Sequence, residues 1–242
     1  MDAAPFVLFD REDELRALES LARDAAGGSG GVAVVDGPAG IGKTALLRAI
    51  VRAAPALGLQ ALEARAAEQE RGFPFGVVRQ LLEPPVLAAS SERRAVLLEG
   101  PARRAGAVLD LHDPEGGETE PSAAVHGLFW LSSNLAGEGP LLLAVDDLQW
   151  ADDSSLRWLA YLVRRLEGLP VAVVATLRAG ETVTDALDAL LAEPVLRRVR
   201  PSPLGAAAVA QLVEGRLGEP ADRAFVEACR LRTGATRSSS PR

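Results

Sequence analysis

The chain has 242 residues, 48% of them apolar but only 4% aromatic, and a formal net charge of −7. That length suits one large α/β domain, or a domain with a small satellite, around a core of Leu, Val and Ala. The acidic balance argues against a surface dominated by nucleic-acid binding, and the single cysteine, Cys229, excludes an internal disulfide or a cysteine-based zinc cluster.

In chain order, Asp10 to Leu15 opens a helix, with Asp10 as its cap and acids in the first turn, and Gly27 to Gly31 stops it. Val32 to Val35 is a first strand. A glycine-rich turn and a second helix follow, the helix ending before Pro55. Gly58 to Ala66 reads as a strand, and Arg71 to Gly76 as a turn into a short helix through Leu82. Ser91 to Leu111 is helical with a break at Gly100-Pro101. His112 to Pro121 is a mobile loop by composition, and Ser122 to Leu135 an amphipathic helix. Pro140 to Val145 and Val171 to Leu177 are continuous apolar runs, hence buried strands, separated by a helix from Ser154 to Leu166. Thr184 to Leu191 is helix and Val195 to Val199 a short last strand. After Pro201 and Pro203 only helices follow, from Ala206 to Leu217 and from Ala221 to Arg230. The expected fold is α/β, a parallel sheet with helices on both faces over residues 1–203, followed by a small incomplete helical lid over 204–233. Ligands then belong at the carboxyl ends of the strands. No apolar run is long enough to span a bilayer, charges begin at Asp2, and a cytoplasmic address is expected.

The turn after the first strand carries the chemistry. Gly37-Pro38-Ala39-Gly40-Ile41-Gly42-Lys43-Thr44 fits G-x-x-x-x-G-K-[ST], the phosphate-binding loop. Glycines let the backbone curl its N–H groups onto phosphate oxygens, and the helix through Ala45 adds the positive end of its dipole. Lys43 is the only lysine in the chain. A sequence that uses arginine everywhere else keeps one compact, flexible ammonium where it reaches the β- and γ-phosphates. The Thr44 hydroxyl suits Mg²⁺.

ATP hydrolysis also needs an acid opposite the loop. Asp146, at the end of an apolar strand, fits the Mg²⁺ site through a bound water, and Asp147 is placed to polarise the attacking water. Asp152-Asp153 reads instead as the cap of the helix at Ser154. Arg178, closing the neighbouring strand, either senses the γ-phosphate or is a plain surface arginine. The Asn-Lys-x-Asp motif of GTPases has no lysine left to use, and the Leu-Ser-Gly-Gly-Gln signature of transporter ATPases is absent. A small-molecule kinase with an arginine-bearing lid stays open, although the acid pair suits a water nucleophile better. Arg93-Arg94 and Arg164-Arg165 read as solvated helix faces, and His112 and His126 as ordinary surface or half-buried residues.

Four stretches resemble a known group. Asp10-Arg11-Glu12-Asp13-Glu14-Leu15 is similar to an opening motif Gly-Arg-Glu-x-Glu-Leu. The phosphate loop is the second stretch, Phe73 to Leu81 the third, and Val145-Asp146-Asp147-Leu148-Gln149-Trp150-Ala151-Asp152 the fourth and most specific. Together they resemble the ATPase module of large LuxR-type, MalT-like transcriptional regulators, a branch of the signal-transducing ATPases related to AAA ATPases of the Orc1 type. The resemblance implies that the phosphate-loop strand lies between the strand ending at Arg178 and the last short strand. It implies ATP/ADP with Mg²⁺, a nucleotide contact by Arg11, and a weakly hydrolysing switch coupled to self-association. Sensory and DNA-binding domains lie further along in that family, so this chain alone is expected not to bind DNA. The rival reading is a non-catalytic nucleotide-binding or protein-interaction module.

Two departures stand out. Asp10 replaces the motif's glycine, and the family's Gly-Gly-Asn-Pro after Thr233 is missing. With suitable GC-rich codons, an extra base in the Gly234 codon converts the tail into Gly-Gly-Asn-Pro-Phe-Leu-Leu. The tail, residues 234–242, is therefore expected to be disordered and frameshifted from Ala235, and the module truncated.

Overall fold

A computed structural model describes residues 8–109, 120–181, 184–217 and 222–232. Its element order is α1 (Glu12–Ala26), β1 (Gly31–Gly37), α2 (Lys43–Ala53), β2 (Gln60–Arg65), α3 (Gly76–Leu87), α4 (Ser91–Leu97), α5 (Ala105–Val108), α6 (Pro121–Glu138) and β3 (Leu141–Asp146). Then come α7 (Asp153–Val163), β4 (Val171–Arg178), α8 (Asp185–Leu191), β5 (Leu196–Val199), α9 (Ala206–Leu217) and α10 (Arg223–Arg232). The five strands form one sheet in the order β2-β3-β4-β1-β5, and every pairing is parallel. The phosphate-loop strand β1 thus sits between β4 and β5, as the resemblance implied.

Strand alternation sorts the core into two layers. Ala33, Val35, Leu142, Ala144, Ala172 and Val174 face Leu18 and Leu21 of α1 and Leu46 and Ile50 of α2. Their neighbours Val32, Val34, Leu143, Val145, Val173 and Ala175 face the larger layer, which holds Leu81, Leu128 and Trp158 of α3, α6 and α7. Strands β3 and β4 are buried nearly throughout, whereas β2, at the sheet edge, alternates between buried and exposed. Close approach is bought at Gly127 in α6, where a Cβ would lie 2.8 Å from the Arg104 Cβ.

Several boundaries differ from the sequence reading. Asp10 does not cap α1. The helix starts after Arg11 with no side-chain cap, and the Asp10 carboxylate instead accepts the Gly205 N–H at 2.8 Å. Asp10 has φ +51, which explains why glycine suits this position and why aspartate, tolerant of the left-handed region, replaces it. Helix α3 runs on through Pro84-Pro85 to Leu87. Pro85 and Val86 stay buried, and Arg94 donates to the carbonyls of Val86, Leu87 and Ala89 beyond the prolines. Arg94 is therefore a helix clamp rather than a solvated face. Its neighbour Arg93 pairs with Glu138, and Arg164 with Glu193. The expected break at Gly100-Pro101 is present, with Gly100 at φ +61. Helix α7 stops at Val163, short of Leu166. His126 is half-buried, bonded to the Tyr161 hydroxyl and the Trp130 indole. His112, most of the loop around it and the tail from 233 lie outside the described residues. Among the described residues no helix is long and apolar enough to cross a membrane.

Candidate phosphate-loop site

The site gathers the ends of β1, β3 and β4. Gly37 is the last residue of β1, and Pro38 to Ile41 turn back toward α2. Gly42 caps α2 at φ +98 and Gly40 sits at φ +78, conformations that L side chains rarely adopt. Lys43, Thr44 and Ala45 form the first turn of α2. No side chain caps that turn, and uncapped N–H groups at a helix start after a glycine-rich loop are the kind that receive an anion.

Lys43 is buried, and its ammonium donates to the carbonyls of Gly37 (2.9 Å) and Pro38 (2.8 Å), folding back over its own loop. Desolvation pulls the ammonium below the ordinary lysine pKa. Asp147 opposes that shift, Arg178 adds to it, and Asp146 and Asp36 oppose it. The Thr44 hydroxyl donates to the Asp146 carboxylate, 3.1 Å from either oxygen. A threonine hydroxyl beside a buried carboxylate is an all-oxygen donor set that fits Mg²⁺, an ion that takes few protein ligands and completes its shell with water and phosphate.

Three roles here were not legible in the sequence. Thr176, buried within β4, donates to Asp146 Oδ1 at 2.6 Å and accepts the Asp147 N–H at 2.8 Å, so one hydroxyl orients both acids. Gln149, 2% exposed, donates from Nε2 to Asp147 Oδ1 at 3.1 Å and accepts the Arg178 N–H on Oε1 at 3.0 Å. Arg65, at the end of β2, lies 3.6 Å from Asp147 Oδ2. Asp147 itself has φ +58, a left-handed strand exit held by these contacts. Beside it runs a groove of about 650 Å³ lined by Arg65, Glu68, Gln80 and Trp150 among others.

Arg178 ends β4 with its guanidinium half exposed and paired with Glu181 at 3.2 Å. Arg11 is buried at the start of α1. It donates to Asp10 O and to Ile41 O, both at 2.9 Å, so it braces the phosphate loop from outside. The fourth motif ends in a structural lock. The Asp152 carboxylate caps α7 through the Ser155 N–H (2.8 Å) and accepts from Phe75 N (2.7 Å) and Val77 N (3.4 Å) at the start of α3. Ser155 Oγ takes the Val78 N–H. The third and fourth motifs therefore meet each other.

The sequence profile of the AAA ATPase domain matches residues 7–174. In fold the chain is similar to Cdc6p from Pyrobaculum aerophilum, with TM-score 0.56 and 15% identity over 91% of this chain and 53% of that one. It is similar to the Orc1 protein of Aeropyrum pernix, solved in complex with DNA, with TM-score 0.54 and 21% identity over 95% of this chain and 56% of that one. It is also similar to a signal transduction ATPase with numerous domains, one with a tetratricopeptide repeat sensor from Pyrococcus horikoshii. There the TM-score is 0.51 and identity 20%, over 95% of this chain and 28% of that one. The chain thus spans little more than half of the first two and about a quarter of the third. No curated protein matches it.

Proposed function

Since the chain belongs to the AAA ATPase domain family, we propose that it is an ATP-binding, weakly hydrolysing switch module of a signal-transducing transcriptional regulator of the LuxR type. The observation that carries the reading is the pairing of a buried single lysine over a glycine-rich loop with Thr44 on Asp146. Gly37 to Ala45 wrap the phosphates, and Lys43 exchanges its two carbonyl partners for phosphate oxygens. Thr44 and Asp146 would hold Mg²⁺, which would supply positive charge against the phosphates. Asp147 orients the attacking water and Arg178 meets the γ-phosphate. Arg11 fixes the shape of the loop.

The switch reading is supported by what the opening motif touches. Arg11 holds the loop at Ile41, while Asp10 and Glu14 hold the backbone N–H groups of Gly205 and Ser202, just before α9. One short segment thus joins the phosphate loop to the backbone leading into α9, which we assign to a lid over residues 204–233. Self-association in the ATP state, and DNA binding only through further domains, complete the proposal. A second reading, nucleotide binding without turnover, is favoured by Asp147 alone, whose side chain is one methylene shorter than the glutamate common in fast ATPases.

Titration calorimetry with Mg-ATP tests the proposal. Lys43→Ala should weaken binding about tenfold or more, the loss of a charge-assisted hydrogen bond. Equal affinity in both proteins would refute it.

A further inference from the structure

We propose that Gln149 is a positioning residue for ATP hydrolysis, setting the Asp147 carboxylate and the Arg178 backbone as one unit. The inference rests on the nucleotide reading above and adds a residue to it.

The Gln149 amide has no freedom in its orientation. An ionised carboxylate only accepts and a backbone N–H only donates, so Nε2 must face Asp147 and Oε1 must face Arg178. At 2% exposure no solvent competes for either bond. The two partners stand at the ends of adjacent parallel strands: Asp147 follows β3, and Arg178 closes β4. The remaining constraints on Asp147 act elsewhere. Thr176 fixes its N–H, and the Trp150 N–H reaches its carbonyl. Arg65, largely exposed, lies 3.6 Å from the second carboxylate oxygen. Among the described residues, Gln149 is thus the one buried side chain hydrogen-bonded to the Asp147 carboxylate, and it takes Oδ1, while Oδ2 has only the exposed Arg65 beside it. A carboxylate that must hold water in line, and an arginine that must meet a γ-phosphate, are both sensitive to shifts of an ångström. One amide joining them ties the Asp147 carboxylate to the backbone from which the Arg178 side chain departs. Gln149 touches neither the phosphate loop nor Lys43 in these contacts, so its role is confined to the γ-phosphate end of the site.

Two variants test the assignment. Gln149→Met keeps the shape and removes both bonds. Gln149→Glu keeps the acceptor for Arg178 and sets a second carboxylate against Asp147. Mg-ADP and a non-hydrolysable Mg-ATP analogue are titrated calorimetrically, and turnover is followed against ATP concentration. Mg-ADP affinity should stay within about twofold of the parent in both variants. In Gln149→Met, kcat should fall by about tenfold or more with KM nearly unchanged, and the ratio of analogue to ADP affinity should shift from the parent's. In Gln149→Glu, where a second carboxylate faces Asp147, kcat should likewise fall with KM nearly unchanged. A structural role alone would not lower kcat while sparing KM and ADP affinity. Parent kcat and parent affinity ratio in Gln149→Met overturn the inference, as does loss of ADP and analogue binding in equal proportion. A parent that binds neither nucleotide overturns the nucleotide reading and this inference with it.

Discussion

Lys43 concentrates the physics of the site in one side chain. It is charged yet buried, and its two carbonyl partners offset only part of the desolvation. Because its pKa lies below that of an exposed lysine, the burial penalty is present in full at neutral pH and is relieved as pH rises through the lowered pKa. Bound phosphate favours the charged form and raises that pKa again. Mg-ATP binding should therefore take up protons at alkaline pH and weaken as pH climbs. Calorimetry in buffers of different ionisation enthalpy should show heats that diverge at alkaline pH and agree at neutral pH, and Lys43→Arg should abolish the divergence. On the proposed reading, the two acids divide the remaining work. Asp147→Asn should bind ATP with nearly parental affinity and lose turnover, whereas Asp146→Asn, which keeps an acceptor for Thr44 and Thr176 but removes the carboxylate charge, should lose the Mg²⁺ dependence of binding. An Asp147→Asn protein that turns over ATP at the parental rate would reassign the water-orienting role.

Elements are placed by side chains that act across them. Asp152 serves α7 and α3 at once, so removing it strips a cap and leaves buried N–H groups unpaired at Phe75 and Val77. Asp152→Ala should cost about 2 kcal/mol or more, measured by urea unfolding, since a cap is worth about 1 kcal/mol and each buried unpaired donor at least as much. An unchanged midpoint would mean that α3 and α7 hold each other by apolar contact alone. The cap at Asp152 was readable from the acid pair before an amphipathic helix. Its second task was not, because Phe75 lies 77 residues away and no local spacing records it. The same holds for α3. Pro84-Pro85 reads as a stop by local rules, yet the helix persists because buried apolar residues and the Arg94 clamp outweigh the lost donors.

At the scale of the molecule, the charge of −7 repels a phosphate backbone, and Arg93, Arg94, Arg164 and Arg165 are engaged with groups of their own chain. Although the Orc1 structure it resembles was solved with DNA, this chain by itself should show no salt-sensitive, sequence-preferring shift in a gel assay. Such a shift would place a DNA-binding surface within residues assigned here to the ATPase core.

Local chemistry was enough to specify which strands and helices form and where the glycine-rich loop lies, though not where α1, α3 and α7 begin or end, because periodicity, glycine placement and the uniqueness of Lys43 are properties of neighbouring residues. The acid pair at Asp146-Asp147 was legible for the same reason, as the end of an apolar strand. Tertiary structure alone decided what orients those acids and what steadies the loop. Thr176 and Gln149 become partners of the acids and of Arg178 only when β3 and β4 pair in register. Arg11 meets Ile41, and Asp10 meets Gly205, only when α1 closes over the sheet. A hydrogen bond depends on where the chain returns to itself, and that return is fixed by burial of the whole core rather than by any stretch of sequence around the residues that make it.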